Sequence, residues 1–140
     1  MTDTEKVVRH LEMTQGIINR LGNNSFLLKS WSMTIIVAAI VLMARYGTQH
    51  PYIILVLIPP VFGFWVLDGY FLWQERLFRK IYDGVRNQSD TNFKMDVKRY
   101  MNEPKCSWLS AVFSITLNIF YSIEILMIVF VFLISMGETP

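Results

Sequence analysis

The sequence predicts an all-α membrane protein: three transmembrane helices, an N-terminal amphipathic helix before them, and a second span extended as a helix into the cytosol. Three observations carry this. Hydrophobic residues make up 53% of the chain and charged ones only 17%, where soluble domains run nearer a quarter charged. The charges are also segregated. Arg45 and Asp68 are the only formal charges between Ser30 and Trp73, and Glu124 is the only one from Ser107 to Gly137. Finally, Trp31, Trp73 and Trp108 fall at matching ends of three apolar runs, as an interfacial aromatic belt would.

The 140 residues form a single membrane domain whose elements follow in order. Within 1–25, and running on to Leu28, Val7, Leu11, Thr14, Ile18, Leu21, Ser25 and Leu28 alternate at spacings of four and three, the stripe of an amphipathic helix. Gly16 and Gly22 lower helix propensity, so an interruption is expected near Gly22-Asn23-Asn24. The stripe either lies on the membrane or another helix, or meets a second copy through Leu11, Ile18 and Leu21. The first span is 26–46, with Lys29 snorkelling to the head groups.

After the turn Gly47–Pro51, the second span covers 52–73. Pro59-Pro60 remove two backbone donors, and a kink or local opening is expected there. The helical pattern then continues over 74–86 through Leu77, Phe78, Ile81, Tyr82 and Val85, with Glu75 four residues before Arg79. That extension would reach about 20 Å into the cytosol, and Leu77, Phe78 and Ile81 are candidate interface residues. Residues 87–107 form a cytosolic loop with a short helix expected between Phe93 and Met101. The third span, 108–136, would be about 43 Å long as one helix. That exceeds the roughly 30 Å hydrocarbon core, so it must tilt, bend or begin within the cytosolic layer.

Orientation follows from charge. Gln74 to Ser107 carries Arg76, Arg79, Lys80, Arg86, Lys94, Lys98, Arg99 and Lys105, against Arg45 alone in the opposite loop. The positive-inside bias puts the N-terminus in the cytosol and the C-terminus in the periplasm of a bacterial inner membrane. The polar, charged first 25 residues do not read as a cleavable signal.

Enzyme chemistry has little to work with. Lone Cys106 and two histidines offer neither a nucleophile–base pair nor metal-ligand spacing, so no catalytic residue, metal or cofactor is expected. Arg45 and His50 make an Arg-x4-His spacing, as in HEPN-type ribonucleases, but in a Gly/Pro-bounded turn facing away from the cytosol. Glu124 is the most informative residue, because an intramembrane carboxylate costs a few kcal/mol if it faces lipid. It belongs either to a ring of carboxylates in an oligomeric pore or to a hydrogen bond with a neighbouring helix or Tyr121.

Ser110, Ser114, Asn118 and Ser122 recur every fourth residue, a stripe that lines water or, more simply, packs helices. Asp68 lies some two turns inside Trp73 and is placed to pair at the membrane interface with Lys29 or with a cytosolic arginine, a structural role preferred to ion binding. Arg76, Arg79, Lys80 and Arg86 form a basic face toward lipid phosphates. Glu75, Asp83, Asp90 and Asp96 dilute that field, which argues against direct nucleic-acid binding.

Two stretches carry a resemblance: Asn23-Asn24-Ser25-Phe26-Leu27-Leu28-Lys29-Ser30-Trp31, and the longer run from Leu67-Asp68-Gly69-Tyr70 through Arg79-Lys80-Ile81-Tyr82-Asp83. In these the chain resembles the RipA-like small octameric bacterial membrane proteins, and its architecture is similar to the membrane accessory proteins of Cas13b-type CRISPR systems. The resemblance implies a ring-shaped homo-oligomer of about eight chains, a pore-like opening and a part in anti-phage defence. The expected function is therefore a membrane-perturbing, ion-leak or depolarising effector. The alternative is a non-conducting scaffold that recruits a soluble defence-system partner through the helix after Trp73.

Overall fold

Apolar residues at helical spacing favour helices, which satisfy most backbone groups within their own segment. The computed structural model describes residues 2–46, 51–103 and 106–137; it is 86% helix, with no strand among the described residues. Three of its helices are long and apolar enough to cross a membrane.

Helix α1 runs unbroken from Asp3 to Tyr46, 44 residues, and this corrects the interruption expected at Gly22. A mid-helix glycine costs only about 1 kcal/mol, and Gly22 lies where α1 crosses Glu75 of α2. Packing along α2 outweighs the propensity term. The buried stripe coincides with the expected one at Thr14 and Ile18 and departs from it at the ends, where His10, Ser32 and Ile36 also face inward, with Ser25 and Lys29 half-buried along it. Leu11 and Leu21 are half-buried at its edges.

A 3-10 segment, Pro51–Leu57, leads into α2, Ile58–Arg86. Pro59 and Pro60 therefore stand in the first turn of an α-helix rather than in its middle. There their missing N–H groups have no intrahelical partner to lose, so the local opening is a change of helix type. α2 continues without a break past Trp73 to Arg86 and buries Leu77, Ile81 and Val85 within the chain. In place of a helix over Phe93–Met101, one 3-10 turn spans Val97–Tyr100, capped by the Asp96 side chain. Phe93 adopts a left-handed φ of 58°, which ends any regular helix there.

The third apolar run is two helices: α3, Trp108–Val112, and α4, Ile115–Gly137. The break leaves carbonyls that lipid could not satisfy, and side chains take them. Trp65 Nε1 donates to the Val112 carbonyl at 2.9 Å, and Asn118 Nδ2 donates to that of Phe113 at 3.2 Å. Gly69 lets α2 approach α3 closely, for a Cβ there would stand 2.4 Å from Val112 Cγ2. Beyond this contact α1 packs along α2 for much of its length, while α1 and α4 meet only briefly. Ile36, Ile54, Val61, Leu117, Tyr121 and Ile128 form the core between them.

Candidate functional site

The inward faces of α1, α2 and α4 place six polar side chains among apolar ones. On α1, Ser25, Lys29 and Ser32 share a face at spacings of four and three. Asp68 comes from α2, and Tyr121 and Glu124 from one face of α4. Both carboxylates are 0% exposed.

Asp68 is the hub of the upper group. Lys29 Nζ donates to its Oδ2 and Ser25 Oγ to its Oδ1, while Lys29 also donates to Ser25 Oγ at 2.8 Å. Tyr121 OH adds a third donor to Asp68, at 3.1 Å, and its ring stacks on Trp65 at 5.8 Å. A carboxylate with three donors, one of them a paired ammonium, is what a buried charge needs in low dielectric. The pair thus fastens α1, α2 and α4 at one level.

Glu124 lies one turn further along α4, close to that helix's midpoint. Ser32 Oγ donates to its Oε2 at 2.7 Å, and among the described residues Oε1 has no hydrogen-bond partner. Tyr121 is turned to Asp68 instead. Glu124 therefore closes the narrow α1–α4 seam, facing the inside of its own chain. An intramembrane carboxylate half-satisfied in this way is an expensive feature with few structural gains.

The other expected site residues are dispersed. Ser110 is exposed and accepts from Arg76 Nη1 at 3.2 Å. Ser114 Oγ accepts from the Leu117 amide at 3.5 Å, and Ser122 is exposed. The restart at Ile115 breaks the four-residue stripe, and Ser114 and Asn118 serve the break. Ile18, Leu77 and Ile81 are buried inside the chain, which corrects their assignment to an outer interface, and Phe78 is half-buried. On the basic face, Arg79 pairs with Glu75 at 2.6 Å and Lys80 with Glu103 at 2.7 Å, while Arg86 is exposed. His50 lies outside the described residues.

Two participants carry little signal in the sequence. Ser32 sits in an apolar span, where a lone serine is unremarkable, although its spacing of three from Lys29 could have marked it. His10 stands beside Leu11 on the expected stripe, yet it is the histidine that is buried. Its Nδ1 meets Thr91 Oγ1 at 2.6 Å, and burial pushes its pKa below the ordinary value of 6.5. Among the described residues no three His, Cys, Asp or Glu side chains gather as metal ligands. No family model, curated protein or solved structure matches the chain.

Proposed function

We propose that this chain is an oligomeric, pore-like protein of a bacterial inner membrane, acting as a membrane-perturbing effector in anti-phage defence. One observation carries the reading: Glu124, wholly buried at mid-helix, is held by a single hydroxyl and keeps one oxygen without a partner. Three spans enclose no path by themselves, so conduction requires assembly, and the ring implied by the family resemblance supplies it. In the closed form Ser32 holds Glu124 within its own chain. When α1 and α4 part, the carboxylate turns to water and offers a cation a partner near the bilayer centre. Lys29–Asp68–Tyr121 keeps the three helices together on the N-terminal side of that opening. Positive-inside bias supports a cytosolic N-terminus and a periplasmic C-terminus.

The test is cation flux from liposomes holding the full-length chain. Ser32→Ala is expected to raise the leak by freeing Glu124, and Glu124→Gln to reduce it. Assembled rings that stay silent in wild type and in Ser32→Ala would remove the pore.

A non-conducting scaffold is the second reading. It is favoured by an open groove of about 510 Å³ walled by Val8, Leu11, Gly16 and Tyr82. The groove, rather than buried Leu77 and Ile81, would be its partner surface. Under this reading Leu11→Asp abolishes capture of a soluble defence partner, and neither the wild type nor the variant conducts in liposomes.

A further inference from the structure

A second polar cavity lies apart from the intramembrane carboxylates. It holds about 500 Å³ between His10 of α1, the last turns of α2 and the segment 88–100. Ile81 and Val85 give it an apolar wall, while Lys94, Arg99 and Tyr100 stand on the facing segment. The volume is that of an ordinary small-molecule site.

Its charges are unevenly satisfied. Asp90 accepts from the Thr91 amide at 2.8 Å and lies 3.7 Å from Lys6 Nζ, and Asp96 accepts from the Lys98 amide at 3.0 Å. By contrast, neither Lys94 nor Arg99 lies within ion-pair distance of a carboxylate among the described residues. His10 is 1% exposed and its Nε2 has no partner among those residues. The Thr91 hydroxyl already accepts from the Phe93 amide at 3.3 Å, so its own hydrogen is free to go to His10 Nδ1. In that arrangement Nε2 carries a hydrogen and needs an acceptor. Two cations without a carboxylate partner among the described residues, one of them Arg99 over the Tyr100 ring at 6.0 Å, and an orphaned donor call for anionic oxygens. The nearby Asp90 and Asp96 call for hydroxyl or amino donors on the same molecule.

We infer that this cavity binds a small water-soluble organic phosphate bearing hydroxyl or amino groups, of about the size of a nucleoside monophosphate. Distance argues against a lipid head group as the occupant. Ile81 is eight residues past Trp73, about 12 Å along the helix, whereas the head-group layer is roughly 5–8 Å deep on each side. The inference rests on the proposed topology, in which Trp73 marks the membrane boundary, and is independent of conduction.

The experiment is calorimetric titration of the full chain in phosphatidylcholine nanodiscs with AMP, glycerol 3-phosphate and inorganic phosphate, and with adenosine as the uncharged control. Saturable AMP binding is expected, with adenosine at least about tenfold weaker. Arg99→Gln and Lys94→Gln, both at exposed residues, are each expected to weaken AMP by about tenfold or more at unchanged thermal stability. Arg9→Gln, whose side chain pairs with Glu12 at 3.5 Å, is expected to leave it unchanged. The inference is overturned by no saturable binding of any probe, by AMP affinity that survives both variants, or by adenosine binding equally well. Loss of AMP binding in phosphatidylglycerol nanodiscs would also overturn it, by making the occupant a lipid phosphate. Flux enters none of these readouts, so failure here and failure of the pore are separate results.

Discussion

Lys29 and Asp68 differ in one respect that decides what each is worth. The lysine side chain is 19% exposed and the aspartate 0%. Removing the lysine strands a buried carboxylate, whereas removing the carboxylate leaves an ammonium that can still snorkel outward. Lys29→Met is therefore expected to destabilise the bundle by about 3–5 kcal/mol, and Asp68→Asn by clearly less, in reversible detergent unfolding. Equal losses would mean that Asp68 reaches water. The Lys29→Met/Asp68→Leu double variant should recover most of the loss, since a buried pair contributes little against apolar replacements.

His10 sets a pH dependence of opposite origin. Its pKa lies below 6.5 because burial disfavours the imidazolium, so the undocked chain binds the proton more readily. The contact with Thr91 is at full strength above about pH 6.5 and weakens as pH falls through the lowered value. Hydrogen exchange at the Phe93 amide, corrected for intrinsic rate, should accelerate below that point. His10→Gln should flatten the profile.

Among the elements, the α2–α3 contact is the least forgiving. With a Cβ at position 69 falling 2.4 Å from Val112 Cγ2 and 3.0 Å from its Cα, Gly69→Ala must push α3 away or strain Val112. A cost of about 1–3 kcal/mol is expected, read from the same unfolding curves, and Val112→Ala should return part of it. The break after Val112 depends on borrowed donors. Trp65 and Asn118 serve the Val112 and Phe113 carbonyls there, so Asn118→Leu should cost about 1–3 kcal/mol as one carbonyl loses its partner. The sequence marks the third run as too long to stand straight, because length against bilayer thickness is simple arithmetic. It does not mark Phe113 as the place, since that depends on where Trp65 of another helix can reach.

For the molecule as a whole, three apolar helices leave large hydrophobics such as Phe26, Val56, Ile115 and Leu126 exposed, which is what a lipid-embedded chain presents. The proposed orientation has a direct test. In a Cys106→Ser background, Thr4→Cys and Ser89→Cys should react with an impermeant thiol reagent from one side of the membrane, and Gly137→Cys from the other. Labelling of all three from one side would discard the topology, and with it the boundary at Trp73.

The sequence by itself determined the class and the three apolar helices, because a bilayer forces each spanning segment to be long, apolar and internally hydrogen-bonded. Those are properties of a contiguous stretch, legible one window at a time. It also showed which charges lie deep, since Asp68 and Glu124 stand alone in apolar runs. Only the tertiary structure decided whom they meet. Ser32 with Glu124, His10 with Thr91 and Tyr121 with Asp68 are separated by 92, 81 and 53 positions. Each depends on how one helix is rotated about its axis against another. Rotation is set by the close packing of all three helices at once. His10 and Leu11 are neighbours about 100° apart on one helix, and packing buries the first while leaving the second half-buried.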